Sequence, residues 1–520
     1  MQPPLAVAAA LQGGVALLAA VAAAAVLLLP DPRRRALAMA AAGVLAALGL
    51  ASLIEGGLAD DLKERAGLLA AGAAGGLAVL AGLGLLLRGR PALFVGLVFA
   101  TLPFRIPLAL GGETANLLVL LYGVIAAGCV AAIVSALRGE APRAPRPAGD
   151  VRVRRLEQAL ALFVVLYALQ ALYSTDVERA VKGICFFFVP FALLFRLLID
   201  LEWNRRLITV ALGVTVSLAV VAAGVGLVEY ATRHLLIFNS KVLLANEIKP
   251  YFRVNSLFFD PNIYGRYLAV TMVAIAAALL WRRRGRDVAL IAGLLGLLWA
   301  GLVVSLSNSS FAALLLGLFV LAALRWRPLP VVAAAVAALA ATAAFVLLAP
   351  GALGLRTGSF EGIDRATSGR AGLVREGVEM ARERPVLGFG AGSFAERYRA
   401  RKRLLSPRSP AESHTIPVTV AAEQGVVGLI AYLALLAAAL ALLLDGLRAA
   451  VRCGETAFPL PVRLAVAAAW SALLLHTLVY AAFLEDPMTW ALLAVAAGLR
   501  WVAPGAGGAQ PRPDAQAVPA

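Results

Sequence analysis

Charged residues are scarce in this sequence, and that scarcity decides its broad class. Only 15% of the 520 residues are charged, 61% are hydrophobic, and the formal net charge is +17. Soluble domains contain about 25% charged and about 45–50% apolar residues, so the composition excludes an ordinary soluble protein. A mean hydropathy of +0.86 agrees with this exclusion. The sequence therefore predicts a protein that lies largely within a lipid bilayer.

Metal-binding and redox side chains are equally scarce. The chain has three cysteines and three histidines, and neither a CxxC nor an HExxH spacing occurs. These absences argue against a disulfide framework and against the common zinc-site patterns. Any histidine chemistry must come from one of three residues: His234, His414 and His476.

Long apolar runs are abundant, and many reach about 20 residues, the length that a helix needs to cross a bilayer core of about 30 Å. Prolines such as Pro30, Pro91 and Pro350 mark several boundaries between the runs. The pattern predicts an all-α polytopic transmembrane bundle of about 14–15 spans. The predicted spans are 5–29, 36–54, 68–87, 91–103, 117–137, 156–172, 183–199, 207–228, 264–281, 288–304, 311–324, 331–349, 417–444, 464–483 and 488–502.

Basic residues are concentrated in alternate loops, and this alternation predicts the orientation. The positive-inside rule places these loops in the cytoplasm. Two longer segments, 229–266 and 350–416, then lie on the outer face, and the second is long enough to be translocated despite its basic charge. A large basic loop outside predicts an anionic ligand. The loops assigned to the cytoplasm lie near residues 33–35, 88–90, 138–155, 196–206, 282–286, 325–327 and 448–463.

The second outer segment contains two patterned stretches. SGRAGLVREGVEMARER, residues 368–384, has helical periodicity, with Ser368 as a candidate N-cap, and predicts an amphipathic helix. PVLGFGAGSF, residues 385–394, has glycines at 388, 390 and 392. We expect these glycines to let the backbone approach a ligand closely.

Four motifs occur in a fixed order: RVNSLFFDPNIYGRYLA, SGRAGLVREGVEMARERPVLGFGAGSF, SHTIPVTVAAEQGVVGL and FLEDPMTWALLAVAAGLR. They resemble the motifs of the O-antigen ligase and O-antigen polymerase superfamily of bacterial membrane glycosyltransferases. The resemblance covers roughly residues 91–502. It leaves residues 1–90 as extra N-terminal transmembrane helices and residues 503–520 as a disordered tail rich in Ala, Pro and Gly.

The resemblance implies glycosyl transfer at the periplasmic face of the bacterial inner membrane. In that family a glycan on undecaprenyl pyrophosphate moves to an acceptor hydroxyl without a metal. The resemblance therefore implies that neither a metal nor a cofactor is needed, and the absence of an HExxH motif fits this. The acceptor is a lipid A-core for a ligase, or another lipid-linked chain for a polymerase. The expected partners are therefore the lipid-linked donor, a lipid or glycan acceptor and the bilayer, and nucleic acid is not expected.

The residue types fit this chemistry. Guanidinium groups are permanently charged and bind phosphate bidentately, which makes Arg370, Arg253 and Arg266 candidates for the donor pyrophosphate. Histidine can take a proton near pH 7, so His414, at the seam between a polar and an apolar segment, is the candidate catalytic base. A carboxylate within a span is costly unless it is paired, so Glu423 is a candidate supporting residue.

Other residues of the sequence bear on these assignments. The basic run 397–403 precedes His414, and its cations favour the neutral, basic form of that imidazole. We expect His234 and His476 to be structural. Many family members carry an arginine in an "S.SR" element, where this chain has Asn308, so Arg253 or Arg266 must take over its role if the chain is a ligase. The family's "HN" pair is likewise His414-Thr415 here.

Two functional classes remain open from the residues. One is the glycosyltransferase, as a ligase or as a polymerase of O-antigen or exopolysaccharide. The other is a transporter of a lipid-linked anion, for which internal repeats are typical. No repeat is evident, and the charged groups gather in the outer loops, which favours the enzyme.

The predicted orientation can be tested with two reporter fusions. A reporter that is active only outside the cytoplasm should be active when it is fused after Gly390 and inactive when it is fused after Arg284. The physical reason is the preference of basic loops for the cytoplasmic side. Activity in the same compartment for both fusions would contradict the predicted topology.

Overall fold

The structure is a computed structural model. It describes residues 3–53, 66–110, 113–140, 150–237, 239–248, 251–280, 284–326, 369–403, 415–480 and 484–502, together with 329–331, 333, 336–337 and 413. His414, the predicted span 331–349 and the predicted tail 503–520 lie outside the described residues, apart from the few positions just given.

The all-α polytopic bundle predicted from the sequence is confirmed. The first helices are α1 (Pro3–Leu28), α2 (Pro32–Ala51), α3 (Ala66–Leu87), α4 (Pro91–Thr101), α5 (Val119–Leu137), α6 (Val151–Ala171), α7 (Val177–Gly183), α8 (Val189–Ile199) and α9 (Arg205–Thr232). They are followed by α10 (Ser240–Ile248), α11 (Pro261–Leu279), α12 (Gly285–Ser305), α13 (Asn308–Arg325), α14 (Arg370–Glu383), α15 (Phe394–Lys402), α16 (Ile416–Leu444), α17 (Leu447–Arg452), α18 (Leu460–Tyr480) and α19 (Pro487–Gly498).

Each predicted span other than 331–349 coincides with a helix. In the described part of the chain, ten helical segments are long and apolar enough, by length and composition, to cross a membrane. This is fewer than the 14–15 crossings predicted, because some helices, such as α4 and α19, are shorter. A π-helical turn, Ile184–Phe188, joins α7 to α8. The sequence analysis missed a small antiparallel hairpin between α4 and α5, in which β1 (Ile106–Leu110) pairs with β2 (Glu113–Leu117).

The helices share a continuous apolar core, in which Trp470 and Trp490 are fully buried. Helix α1 packs against α2, α6 and α8, so the N-terminal helices belong to the same bundle. Helices α11, α13 and α18 pack against one another. Gly265 permits this approach, because a Cβ there would lie 2.8 Å from the Ser310 hydroxyl. Small residues allow membrane helices to come close, and here they bring three helix ends together.

The loops predicted to be cytoplasmic are connected by ion pairs at one end of the bundle. Arg35 Nη1 lies 3.2 Å from Asp200 Oδ2, and Arg88 pairs with Glu140. Arg152 and Arg500 both pair with Asp445, each at 2.8 Å. We call this the basic end, and the opposite end the site end. The alternation of basic loops is thus consistent with the fold, and the assignment of either end to the cytoplasm stays a prediction.

Helix α16 is broken at Gly425, whose φ of 64° and ψ of −162° are not helical. Residues 385–392 pass across this break. Phe389 N donates to Ala422 O at 3.2 Å, and Gly390 N donates to Glu423 O at 2.8 Å. Val426 N donates to Pro385 O at 2.8 Å. A non-helical backbone at membrane depth is tolerated only when protein groups satisfy it, and this loop supplies them.

The glycines of the PVLGFGAGSF stretch approach the protein rather than a ligand, which corrects the expectation from the sequence. Cβ atoms at Gly388 and Gly390 would lie 2.3 Å from the Glu423 carbonyl and 2.2 Å from Ser174 Cα, respectively. At Gly392 the nearest atom would be Ala180 N, at 3.0 Å. The glycines therefore allow the loop to lie directly on α16, on the residues that connect α6 to α7, and on α7 itself.

We predict that Gly390→Ala destabilises the protein by at least about 2 kcal/mol. The new methyl group would collide with Ser174, and alanine pays about 1–2 kcal/mol at the positive φ of 99°. Gly213→Ala, in α9 with no atom within 4 Å of the new Cβ, is the matched control and should be neutral or stabilising. Thermal unfolding in detergent measures both, and equal melting temperatures would contradict the prediction.

Candidate functional site

Three helix ends form the floor of a polar site at the site end. Helix α11 begins after Asp260, whose carboxylate accepts the Asn262 N–H at 2.7 Å as an N-cap. Helix α13 begins after Ser307, and α18 ends at Tyr480. Helix N-termini favour negative charge, because their first N–H groups have no partner within the helix. The sequence places arginines beside these ends.

Arg253 precedes α11 and lies at the rim of the site, half-buried. Asn246 fixes its backbone, since Asn246 Oδ1 accepts the Arg253 N–H at 2.9 Å and Asn246 Nδ2 donates to Arg253 O at 2.9 Å. The guanidinium donates to Ser305 O at 3.1 Å and to Asn262 Oδ1 at 3.2 Å. These bonds hold the Arg253 charge near the start of α13.

A chain of polar side chains continues inward from Asn262. Ser307 Oγ donates to Asn262 Oδ1 at 2.9 Å, and it lies 3.2 Å from Ser309 Oγ. Ser309 Oγ is in turn 3.2 Å from His476 Nε2. His476 is fully buried, and its ring lies 5.4 Å from the Tyr480 ring. This series of polar contacts links Arg253 to the last turns of α18.

Arg266 and Arg370 complete the group of arginines. Arg266 is 3% exposed, and its Nη2 lies 2.5 Å from Asp486 Oδ2 as an ion pair without hydrogen-bond geometry. Asp486 also caps α19, because its Oδ1 accepts the Met488 N–H at 2.8 Å. Arg370, at the start of α14, donates from Nη1 to Val479 O at 3.3 Å. The charges of Arg266 and Arg370 both act on His476.

The structure therefore brings together the three arginines that the sequence analysis selected, although more than 100 residues separate Arg266 from Arg370. Three guanidinium groups beside helix N-termini can bind an anion with several oxygens. Asn308, where the resemblance leads one to expect an arginine, is exposed at the start of α13. Arg253 lies beside that helix start, through its bond to Ser305 O.

His414, the predicted base, lies outside the described residues, but its neighbours are described. Ser413 is buried, its N–H donates to Thr419 Oγ1 at 3.1 Å, and its hydroxyl donates to Thr415 O at 2.8 Å. Thr415 is the N-cap of α16. The backbone on either side of position 414 is thus attached to the first turn of this helix.

Glu423 holds the glycine-rich loop. Its two carboxylate oxygens accept the N–H groups of Gly392 and Phe394, both at 2.9 Å. Glu423 also lines a cavity of about 70 Å³ together with Arg179 and Glu485. Burial raises the pKa of Glu485, while the charges of Arg179 and Arg105 act in the opposite direction. Glu423 therefore fixes the loop, and among the described residues no bond joins it to the three arginines; its supporting role stays a prediction.

Two residues of the basic run before His414 are held by glutamates, and the effect of the run on the imidazole stays a prediction. Arg401 pairs with Glu376, Glu379 and Glu383 of α14, and Lys402 also pairs with Glu376. Burial alone would raise the pKa of Glu376, but the bonds and charges of Lys402 and Arg401 together hold it below its usual value. These pairs clamp α15 to α14.

Five side chains of the site were missed as functional candidates. Asn262 and Asp486 lie in motifs quoted from the sequence, and Ser307 and Ser309 lie in the stretch SLSNSS, but spacing gave them no role. His476 was expected to be structural, because it lies within an apolar run. Among the described residues, no three His, Cys, Asp or Glu side chains form a group that could hold a metal ion. The expected metal independence stays a prediction.

Residues 293–433 match the family model described as O-antigen ligase. The match confirms the resemblance to the O-antigen ligase and polymerase superfamily. It includes Arg370, His414 and Glu423, and it leaves Arg253, Arg266 and the N-terminal helices outside. No curated protein matches the chain significantly.

Proposed function

We propose that the protein transfers a glycan from an undecaprenyl-pyrophosphate carrier to an acceptor hydroxyl at the periplasmic face of the bacterial inner membrane, as an O-antigen ligase-like glycosyltransferase. The observation that carries this proposal is the convergence of Arg253, Arg266 and Arg370 on the ends of α11, α13 and α18. The family match supports the reaction class. A polymerase of the same superfamily differs in the acceptor and uses the same donor chemistry.

The arginine cluster suits the donor. Its lipid tail must stay in the bilayer, so the two phosphates lie near the membrane surface, where the three helix ends lie. The guanidinium groups offset the phosphate charge and can bind oxygens bidentately. Arg253 and Arg370 are only half-buried, so a headgroup can reach them from the aqueous side.

The reaction replaces the bond between the donor sugar and its phosphate with a glycosidic bond to the acceptor. The acceptor oxygen attacks the anomeric carbon of the donor sugar, and the bond from that carbon to the phosphate oxygen breaks. The acceptor proton passes to His414, and undecaprenyl pyrophosphate leaves with the bonding electrons. Negative charge grows on the departing phosphate, so arginines at that position lower the barrier. We propose His414 as this base because it directly precedes Thr415, the N-cap of a membrane helix, and the lipid-bound donor and the aqueous acceptor have to meet at the membrane boundary.

We predict that His414→Ala inserts and folds but loses transfer. Loss of a general base costs about 10²–10⁴-fold in rate. His234→Ala is the control, since this histidine is exposed and surface substitutions change stability by only about ±0.5 kcal/mol. The assay follows transfer from a purified undecaprenyl-linked donor in EDTA, scored by acceptor mobility. Near-normal turnover by His414→Ala would reject the role of His414 as the general base. Loss of wild-type activity in EDTA would reveal a metal requirement.

We also predict that Arg370→Ala lowers transfer about 10- to 100-fold, the effect of losing a hydrogen bond to a charged group. Arg370→Lys should lose less, because it keeps the charge, and Arg253→Ala should resemble Arg370→Ala. Arg375→Ala is the matched control in the same helix, where the side chain is exposed and pairs with Glu379. Full transfer by both alanine variants of Arg370 and Arg253, at normal abundance in the membrane, would remove the arginines from the site.

A further inference from the structure

A cavity at the basic end lies between the N-terminal helices and the rest of the bundle. Its volume is about 190 Å³, and its walls come from the start of α2, the junction of α3 with α4, and the last turns of α5 and α8. In the described part of the chain, α2 and α3 each pack against α5 and make little contact with each other. The gap between α2 and α3 is therefore a path by which a lipid chain can reach the cavity.

The deep part of the cavity is apolar. Met39 of α2, Phe94 of α4 and Ala132 of α5 line it. Met39 lies seven residues after Pro32, the first residue of α2, so at 1.5 Å per residue the cavity extends about 10 Å from the basic end. The polar layer of a bilayer is about 5–8 Å thick on each side of the hydrocarbon core. The depth of the cavity therefore matches a lipid headgroup together with the first part of an acyl chain.

Two ion pairs line the mouth of the cavity. Arg35 Nη1 lies 3.2 Å from Asp200 Oδ2, and the other guanidinium nitrogens of Arg35 donate to backbone carbonyls. Arg88 bonds to Glu140 through Nε and Nη2, and among the described residues its Nη1 has no hydrogen-bond acceptor. The Arg88 side chain is 23% exposed, so a ligand at the mouth can reach it. The carboxylates hold both arginines in place, and Arg88 keeps one donor for a ligand.

Three further arginines surround the mouth. Arg33, Arg90 and Arg138 are exposed, and none of them forms an ion pair within the described ranges. A Cβ at Gly139 would lie 3.7 Å from Arg33 Nη2, so this guanidinium crosses from the start of α2 to the end of α5. The mouth therefore has an excess of positive charge. Positions 31–35, 88–90, 138–140 and 200 together hold six arginines against three carboxylates.

We propose that the cavity binds one anionic phospholipid. Its phosphate lies among Arg33, Arg88 and Arg138, and one acyl chain fills the apolar part between α2, α4 and α5. Basic pockets between membrane helices are suited to anionic headgroups. A free anion leaves the apolar walls exposed to water, and a zwitterionic lipid brings a further positive charge to a mouth that already has an excess. The inference does not rest on the proposed function, because the arginine cluster lies at the opposite end of the bundle.

The bound lipid has a structural consequence. Helices α2 and α3 precede the part of the chain that resembles the superfamily, whereas α4, α5 and α8 belong to that part. A lipid in the cavity contacts both groups of helices. A ligand that binds only the folded state stabilises it. The anionic lipid should therefore raise the melting temperature of the protein.

The measurement uses the purified full-length protein, delipidated in a neutral detergent. Phosphatidylglycerol and phosphatidylcholine with identical acyl chains are titrated into the micelles, and inorganic phosphate is titrated separately. Native mass spectrometry counts bound lipid, and thermal unfolding gives the stabilisation by each probe. We expect one tightly bound phosphatidylglycerol per chain, with phosphatidylcholine bound about tenfold more weakly because its headgroup has no net negative charge. Inorganic phosphate should not stabilise the protein.

Two double variants separate the charge at the mouth from the charge of the whole basic end. Arg33→Gln combined with Arg138→Gln should weaken phosphatidylglycerol binding about 10- to 30-fold, since each basic side chain near an anionic lipid contributes about fivefold. Arg448→Gln combined with Arg452→Gln is the matched control. It removes the same charge from exposed positions of α17, at the same end and outside the cavity lining, and should leave binding within about twofold of the wild type because salt screens distant charges.

Ala132→Phe tests the apolar part of the cavity without changing any charge. The ring occupies the space of the acyl chain, so phosphatidylglycerol binding should fall at least about tenfold, the effect of displacing about two buried CH₂ groups. Ala437→Phe, at an exposed position of α16, is the control and should bind the lipid normally. If Ala132→Phe does not fold, Ala131→Leu carries the same test, because Ala131 lines the same cavity and the substitution adds less volume.

Four results would overturn the inference. Equal binding of the two lipids would remove the role of the excess charge. Equal weakening by the two arginine double variants would show only a general attraction to the basic end. Normal binding by the cavity-filling variant would place the lipid outside the cavity. Stabilisation by inorganic phosphate that matches the stabilisation by phosphatidylglycerol would show an anion site and not a lipid site.

Discussion

The break in α16 is the constraint on which the site depends. A helix that loses its regular hydrogen bonds inside a bilayer must find other partners, because lipid offers none. Here residues 385–392 accept and donate across Gly425, and Gln170 Nε2 donates to Gln424 O at 3.0 Å. Glu423 adds two further bonds to the same loop. The break therefore attaches the loop, and with it α14 and Arg370, to the membrane bundle.

Charge is balanced differently at three places in the molecule. At the basic end, arginines pair with Asp200, Glu140 and Asp445, and between α14 and α15 they pair with three glutamates. Around α11, α13 and α18 the described residues form one ion pair, Arg266 with Asp486, while Arg253 and Arg370 bond to neutral oxygens. Guanidinium groups that bond to carbonyls keep their charge available for an anion. This contrast supports the proposal that a diphosphate binds at the site end.

The family match and the geometry support the proposed function from different parts of the chain. The matched residues, 293–433, contain α13, the loop that crosses the break and most of α16. Arg253, Arg266, His476 and Asp486 come from outside it, and they complete the arginine cluster. Asn308 departs from the family pattern inside the match. Arg253, which lies outside the matched residues, is close to the start of the same helix. This position fits the expectation that another arginine takes the role of the family arginine missing at position 308.

Part of this protein follows from the sequence by itself. The length of the apolar runs predicts membrane helices, because each long run must be covered by lipid or protein. The predicted spans that fall in the described part of the chain lie on helices. The amphipathic period likewise predicts α14, and residue chemistry selects Arg253, Arg266 and Arg370, since only guanidinium groups combine permanent charge with bidentate geometry.

Only the tertiary structure decided which side chains meet. The sequence predicts a structural role for His476, because the spacing of residues along one helix does not show which side chains of a neighbouring helix will contact it. Its contact with Ser309 exists because α13 packs against α18. The glycines at 388, 390 and 392 suggest room for a ligand in the sequence, and in the fold that room is filled by α16 and the α6–α7 connection. Contacts between residues distant in the chain depend on packing, and packing is set by all the helices together.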